Sequence, residues 1–194
     1  MKKIVREPGT WLYPVPVVLV SCQGHEGPPN IITAAWAGTV CSDPPMVSVS
    51  VQPPRHSHGL IKERQEFVVN IPRASQVEAV DYCGVVSGRD VDKFAKCDFT
   101  PLASQQVSVP GITECPVQLE CRVHSTIHLG THDMFIGEIL AVTHDEDVVQ
   151  QGRIDLAQAD PLVYGMGRYF NMGSILAMHG VSRGVSRGVS RGKD

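Results

Sequence analysis

Short runs of β-branched residues, each bounded by proline or glycine, are the feature that most restricts the fold of this chain. In residues 46–52, three valines at alternate positions are separated by polar side chains, the pattern of a strand with one buried face. A Ser-Asp-Pro-Pro turn at residues 42–45 precedes this run and two prolines follow it, so the strand is short. Such frequent interruption favours antiparallel strands joined by tight turns.

Similar runs predict further strands at residues 15–22, 30–33, 66–71, 118–128 and 134–144. Two small helices are predicted, one at residues 58–64 with Ser57 as its N-cap and one from about residue 75 to 83. Ser75 and Glu78 match a capping box at the start of the second helix. Short strands with so little helix favour a mainly β fold, a β-barrel rather than an alternating βαβ sheet.

Charge and hydropathy argue against two classes of partner. Lysine and arginine number 17 against 20 acidic residues, a net charge of −3, so no nucleic-acid partner is expected for the body of the chain. The apolar stretch at residues 13–22 is too short to cross a bilayer and contains two prolines. Charged residues and a proline at residues 6–8 interrupt the place where an export signal would be apolar. We therefore expect a cytoplasmic protein with no membrane partner.

The spacing of cysteine and histidine gives little support for a metal site. None of the six cysteines forms a CxxC pair, and most are expected to be reduced and buried. His124, His128 and His132 repeat every four residues and would share one face of a helix. The alternation of residues 118–128 predicts a strand instead, so we expect no metal.

The C-terminal end differs in character from the rest of the chain. The tetrapeptide Val-Ser-Arg-Gly occurs three times in succession at residues 181–192. A repeat of this kind cannot build a packed core. We predict one domain over residues 1–175 and a flexible tail over residues 176–194.

Residues 30–39 combine three kinds of side chain suited to a flat heteroaromatic ligand. Small residues let the backbone approach a ring closely, hydroxyl and amide groups can bond ring carbonyls and nitrogens, and Trp36 can stack on a ring. The candidates are Asn30, Thr33, Ala34, Ala35, Trp36 and Thr39. An ordinary strand edge with small residues explains this segment equally well. The Rossmann and Walker patterns are absent, so a nucleotide would have to be held in another way.

Arg55 and Ser57 form a candidate phosphate site. The arginine offers a planar fork of donors, and Ser57 stands where a helix is predicted to begin, with free N–H groups that attract anions. A surface arginine beside an ordinary helix cap is the alternative interpretation.

Together these segments resemble the flavin reductase-like family and, within it, the flavoredoxin-like branch. The matching stretches are residues 13–20, 30–36, 41–51, 55–58, 66–72 and 87–94. They follow the family's order from about residue 10 to residue 170. The resemblance implies a Greek-key split β-barrel, the FMN-binding split barrel, with a few short helices. It also implies FMN as cofactor and a homodimer with the flavin near the interface.

The resemblance also implies roles for individual residues. The family's strand that lines the isoalloxazine is matched by Asn30, Thr33, Ala34, Ala35 and Trp36. The strand that faces the flavin or its ribityl chain is matched by Ser48 and Ser50. The phosphate binders are matched by Arg55 and Ser57. Lys93 matches a lysine near the cofactor, where a cation beside N1 and the C2 carbonyl would stabilise the reduced ring. His132 is expected near the flavin edge, although relatives carry Gly-Asp-His where this chain has Gly130-Thr131-His132.

Three functions are compatible with this resemblance. The preferred one is an NAD(P)H-dependent flavin reductase, in which a nicotinamide delivers hydride to N5 of FMN and the electrons pass on. The second is a flavoredoxin-type electron-transfer protein that receives electrons from a redox protein. The third is a binding module that has lost its flavin. The cofactor carries the chemistry in the first two, so no catalytic triad or dyad is required.

Overall fold

The computed structural model describes residues 1–183, which form mainly antiparallel strands. In chain order the strands are β1 (Val15–Pro16), β2 (Val18–Cys22), β3 (Asn30–Ala34), β4 (Ala37–Ser42), β5 (Pro45–Val51), β6 (Glu66–Ile71), β7 (Pro101–Leu102), β8 (Gly111–Ile112), β9 (Val117–Leu129), β10 (His132–His144), β11 (Val149–Gln150), β12 (Arg153–Ile154), β13 (Leu162–Gly165) and β14 (Arg168–Asn171). The helices are α1 (His56–Arg64), α2 (Val77–Val85), α3 (Lys93–Lys96) and α4 (Leu156–Ala159). The prediction of a mainly β fold is confirmed.

Seven strands form one sheet in the order β3-β2-β6-β9-β10-β5-β4, with every neighbouring pair antiparallel. The two edge strands, β3 and β4, follow each other in the chain with only Ala35 and Trp36 between them. So short a connection spans at most about 11 Å, so the two edges must meet. Ser50 N donates a 2.9 Å hydrogen bond to Trp36 O, which extends the β4–β5 pairing into this short link. The sheet therefore curls into the predicted barrel, and its interleaved strand order is of the Greek-key kind.

The barrel interior is filled from the alternating strands that the sequence predicts. Val47, Val49 and Val51 of β5 all point into the core, together with the fully buried rings of Phe67 and Phe135. A Cβ at Gly137 would lie 2.5 Å from the Phe67 ring, so only glycine leaves room for that ring. The β9–β10 register shifts at this glycine.

A second core joins the barrel to the helical segment outside it. Leu19 and Ile31, on the outer face of β2 and β3, pack with Val80 and Cys83 of α2 and with Phe94 of α3. This packing fixes the segment between α2 and α3 against the edge strand β3. Candidate site residues on the strand and on that segment are thereby brought together.

Both predicted helix starts are wrong in detail. Helix α1 begins at His56 with Arg55 as its N-cap, because His58 N already bonds Arg55 O at 3.1 Å, so Ser57 lies inside the first turn and caps nothing. The Ser75 capping box is not formed. A 3-10 turn at Ala74–Gln76 precedes α2, and the Gln76 side chain accepts a 2.7 Å hydrogen bond from Arg73 N.

The remaining elements lie in the C-terminal part of the described chain. Strands β13 and β14 form a small sheet with β1, in the order β1-β13-β14. Within residues 1–183, none of the helices has the length and apolarity needed to cross a bilayer. The repeats predicted to form a flexible tail lie almost entirely outside the described residues, so the tail stays a prediction.

Candidate functional site

Two adjoining cavities lie at the barrel seam. The large cavity has a volume of about 580 Å³ and the small cavity about 310 Å³, sizes typical of ligand sites. Ile32, Gln52, Arg55 and Gly84 line both cavities, so the two form one continuous cleft. The cleft is bounded by β3, the end of β5, the start of α1 and the end of α2.

The large cavity collects most of the predicted ring-binding segment. Thr33, Ala34, Ala35 and Trp36 line it along the end of β3 and the seam, and Ser50 lines it from β5. His132 also lines it from the start of β10, with its Nδ1 2.9 Å from Thr131 Oγ1. Residues from these three separate stretches of the chain thus meet around one space.

The edge of β3 contributes backbone groups to this space. Strand β3 pairs with β2 on one side only, and Ile31 O is directed away from β2 toward Lys93. Alternate residues of a strand direct their N–H and C=O groups to the same edge, so those of Thr33 also face away from β2. The Thr33 hydroxyl donates to Val80 O of α2. Its side chain is therefore anchored, and its backbone offers one donor and one acceptor toward the cleft.

A series of aromatic rings forms the outer wall of the large cavity. Trp36 and Tyr13 have ring centroids 6.4 Å apart, Tyr13 and Tyr164 are 6.4 Å apart, and Tyr164 and Tyr169 are 5.5 Å apart. Trp36, Tyr164 and Tyr169 line the cavity itself. Aromatic faces of this kind suit a planar ligand.

The small cavity is lined by positive charge. Arg55, Arg89 and Lys93 line it, and among the described residues none of its lining side chains is acidic. Burial lowers the pKa of His56, also in the lining, and the charges of Arg89 and Lys93 lower it further. This histidine therefore senses a positive potential, which is the environment an anion requires.

Lys93 is the most unusual of these cations because it is only 3% exposed. Its Nζ donates to Ile31 O at 2.8 Å and to Cys83 O at 2.7 Å, which uses two of its three donors. Burial lowers the pKa of Lys93, an effect opposed by the Cys83 and Cys22 thiols and reinforced by Arg55. Within residues 1–183 it forms no salt bridge. A bound anion would supply the missing counter-charge.

The rim of the small cavity is built around Asn30 and Ser57, both of them buried. Asn30 Nδ2 donates to Ser57 Oγ at 2.8 Å, which ties β3 to the first turn of α1. The backbone of Gly88 closes over this pair, and a Cβ there would lie 1.9 Å from Asn30 Oδ1. The N-terminus of the nine-residue helix α1 is thereby held at the cavity, with its dipole favouring an anion.

Four predicted residues lie elsewhere than expected. Thr39 is exposed on β4, and the Ser48 hydroxyl is within 3.3 Å of Gly38 O, to which it donates; neither lines the cleft. Ser48 shares a strand face with Ser50, but only Ser50 is close enough to the seam to reach the cavity. Asn30 and Lys93 line the small, cationic cavity rather than the large one expected for a ring.

Several lining residues were missed by the sequence reasoning, among them Gln52, Asp81, Arg89, Tyr164 and Tyr169. Tyr169 Oη donates to Asp81 Oδ1 at 3.0 Å, and burial, together with this bond, raises the pKa of Tyr169 to about 12. A signal for the two tyrosines was present. Gly-Met-Gly at residues 165–167 separates two short apolar runs, which is a hairpin pattern.

Comparison with known proteins identifies the same architecture. The sequence profile described as flavin reductase like domain matches residues 10–173. The structure is similar to the flavoredoxin of Desulfovibrio vulgaris, with 35% identity, a TM-score of 0.86 and coverage of 92% of this chain and 97% of that one. The flavoredoxin of Methanosarcina acetivorans has 33% identity and a TM-score of 0.87, with coverage of 94% of this chain and 100% of that one. An FMN-binding protein of Thermus thermophilus with bound p-hydroxybenzaldehyde has 26% identity and a TM-score of 0.72, with coverage of 88% of this chain and 94% of that one.

Proposed function

This chain belongs to the flavin reductase-like domain family, and from that premise we propose that it is an FMN-dependent oxidoreductase whose cofactor occupies the cleft at the barrel seam. The phosphate would lie in the small cavity and the isoalloxazine in the large one. The similarity to an FMN-binding protein supports the choice of cofactor.

The single observation that carries this proposal is the small cavity, which has three cations and, within the described part of the chain, no acidic lining residue, and which opens to a larger aromatic cavity. A buried ammonium without a counter-ion is costly, and a phosphate dianion removes that cost. The Arg55 guanidinium can bond two phosphate oxygens at once, and the α1 N-terminus adds backbone donors. A phosphate at one end and a planar ring at the other are the two recognition elements of FMN.

The large cavity has the groups that an isoalloxazine ring requires. Backbone groups on the edge of β3 can bond ring carbonyls and nitrogens, and the small side chains of Ala34 and Ala35 allow close approach. Trp36, Tyr164 and Tyr169 line this cavity with aromatic faces on which a planar ring can pack. When bound, FMN supplies the redox chemistry, because its N5 position accepts a hydride from a nicotinamide. The residues of this chain bind and orient the reactants, which is a large part of catalysis in such reactions.

We place NAD(P)H first as the electron donor, giving an NAD(P)H:flavin oxidoreductase. The volume of the large cavity, about 580 Å³, is supporting evidence because a second planar ligand has to lie beside the ring. The alternative is a flavoredoxin-type carrier that receives electrons from a redox protein. The similarity to two flavoredoxins, at 35% and 33% identity over nearly the whole chain, favours this second function.

One anaerobic experiment separates the two functions. The FMN-loaded protein is expected to be yellow, and NADH or NADPH should bleach its visible absorbance within seconds. Bleaching by dithionite but by neither nucleotide would reject the reductase and leave the carrier. A purified protein that is colourless and does not quench FMN fluorescence on titration would reject both.

We also propose a homodimer, as the family resemblance implies, with the flavin near the interface. Exposed apolar side chains support it, among them Trp11 and Met166, which line one further surface cavity together. Sedimentation at micromolar concentration should give the mass of two chains. A monomer under these conditions would contradict the proposal.

A further inference from the structure

Two cysteines meet directly beside the cationic cavity. Cys83 Sγ and Cys97 Sγ lie 3.8 Å apart, one in helix α2 and the other at the C-terminal cap of α3. A disulfide has a sulfur–sulfur distance of about 2.04 Å, so the sulfurs need to approach by less than about 2 Å. Small side-chain rotations provide a movement of that size.

The two sulfurs differ in their access to solvent. Cys83 is buried and lines the small cavity, whereas Cys97 is partly exposed and lines a separate surface cavity. Cys22, Cys115 and Cys121 are buried, and the partly exposed Cys41 places its sulfur 3.4 Å from Asp43 O. Among the described hydrogen bonds, the Cys83–Cys97 contact is the one that joins two sulfurs. An oxidant can therefore reach Cys97, and the resulting species has a second thiol within range.

We propose that Cys83 and Cys97 form a reversible redox pair, and that their disulfide restrains the segment that holds the anion-binding side chains. The closed loop would contain residues 84–96, including Gly88, Arg89 and Lys93 of the small cavity. The disulfide itself does not depend on the ligand of that cavity. Its effect on FMN rests on the proposed function.

Hydrogen peroxide is the oxidant that balances the reaction. The Cys97 thiolate attacks one oxygen, the O–O bond breaks, and Cys97 becomes a sulfenic acid as the other oxygen takes up a proton and leaves as water. The Cys83 sulfur then attacks Cys97 Sγ, the S–O bond breaks, and a second water leaves. Two thiols give up two electrons and two protons in total, and one peroxide becomes two waters. A dithiol reductant reverses the change.

Lys93 is hydrogen-bonded to the backbone of both cysteines of this pair. Its Nζ donates to Cys83 O at 2.7 Å, and its own carbonyl accepts a 3.1 Å hydrogen bond from Cys97 N. A bond between the two sulfurs would therefore fix the backbone on either side of the lysine. A site that is already ordered loses less entropy on binding, so the oxidised protein should retain FMN longer than the reduced protein.

Burial raises the pKa of both thiols, to about 12 for Cys83. Both are therefore protonated at neutral pH, where peroxide reacts with them slowly. Brief exposure to oxidant should leave the pair reduced, and sustained exposure should join it.

Peptide mapping under non-reducing conditions tests the chemistry. After sustained peroxide treatment, the FMN-loaded protein should yield one cross-linked peptide pair containing Cys83 and Cys97, and dithiothreitol should abolish it. The Cys41→Ser variant should give the same cross-link, and Cys97→Ser should give none. Sulfinic acid at Cys97 with Cys83 still a free thiol, or no change at either residue, would overturn the proposal.

Hydrogen exchange and FMN release test the restraint. Oxidation of the wild-type protein should slow amide exchange over residues 84–96 and slow FMN release severalfold, with neither change in Cys97→Ser. A disulfide that leaves exchange in this segment unchanged would refute the restraint. A protein that cross-links and stiffens but never binds FMN would instead refute the proposed function, so the two failures can be told apart.

Discussion

Arg55 and Lys93 both carry positive charge into the small cavity, but their surroundings give them different roles. Arg55 is exposed at the N-cap of α1, with Nη1 3.3 Å from Gly84 O, and can turn toward a ligand at little cost. Lys93 is buried and already held by two carbonyl oxygens. In the proposed site, the first would add a bidentate contact to phosphate, whereas the second would supply a fixed charge with one remaining donor.

The phosphate role of Arg55 predicts a selective loss of affinity. Arg55→Ala should weaken FMN binding by about 10- to 100-fold, because a hydrogen bond to a charged group contributes about 1.5–3 kcal/mol. Riboflavin, which lacks the phosphate, should bind with nearly unchanged affinity. Fluorescence titration of both ligands measures the difference. Equal losses for FMN and riboflavin would reject the role, and Arg64→Ala, at the far end of the same helix, serves as control.

The burial of Lys93 predicts a pH dependence of the stability of the flavin-free protein. Its pKa is lowered in the folded state, so the unfolded chain binds more protons between that lowered value and the ordinary 10.5. The free energy of unfolding should therefore receive a contribution from Lys93 that rises with pH in this window. Lys93→Met, which keeps the volume and removes the charge, should abolish it. Urea denaturation of both proteins across the alkaline range gives the measurement.

Bound FMN should oppose the lowering of the Lys93 pKa, because a phosphate beside the ammonium group favours its charged form. Lys93→Met should therefore bind FMN at least tenfold more weakly, while the flavin-free variant is as stable as the wild type or more so at neutral pH. Lys96→Met, an exposed lysine on the same short helix, should change neither property. A flavin-free Lys93→Met protein that is strongly destabilised would show that the charge supports the fold rather than the ligand.

At the scale of elements, the cleft depends on how closely the loop after α2 approaches β3. Gly88 lies against Asn30 with no room for a side chain, and the Asn30–Ser57 bond holds β3 to α1 beneath it. Gly84 is similarly close to Thr33, at 3.3 Å from an added Cβ to Thr33 Cβ. Asn30, Gly84 and Gly88 all line the small cavity, so these close contacts form part of its wall.

Gly88→Ala tests this dependence. The added methyl must displace Asn30 or the loop, so FMN affinity should fall by about tenfold or more, as expected when a packed site loses its geometry. Gly59→Ala makes the same change inside helix α1, where none of residues 1–183 lies within 4 Å of the new Cβ, and should stabilise the protein by about 0.5–1 kcal/mol. Thermal unfolding and FMN titration of both variants provide the comparison. Unchanged FMN affinity in Gly88→Ala would contradict the account.

The elements of the barrel could be predicted because their patterns are local. The alternation in β5 determined which side chains face the core, and the turn signals limited each strand. The residues from Thr33 to Trp36, which line the large cavity, could be singled out for the same reason, since they are contiguous. Arg89, Asp81 and Tyr169 could not be found in this way, because tertiary packing alone brings α2, its loop and the last hairpin to the cleft. Lys93 was identified by resemblance, and the structure shows which cavity it reaches.

The sequence also could not show which residues along one face of a strand lie close enough to the cavity to line it. Ser48 and Ser50 share a face, and periodicity treats them as equivalent. The seam where β3 and β4 meet decides between them, and its place follows from the closure of the whole sheet. Thr39 lies beyond that seam on β4 and faces solvent.

At the scale of the whole molecule, the segment that closes the barrel also forms part of the cleft. Ala35 and Trp36 link the two sheet edges and line the large cavity at the same time. The proposed ligand site thus lies where the two edges of the sheet are joined by a link of only two residues. Ligand binding at such a seam should stabilise the barrel as a whole.

Titration of the flavin-free protein with FMN and with riboflavin tests the central claim most directly. If the small cavity binds the phosphate, FMN should bind at least about 100-fold more tightly than riboflavin, since several charge-assisted contacts are lost together. This preference should weaken as salt concentration rises, because it is electrostatic. Equal affinities for the two flavins, or binding of neither, would contradict the account.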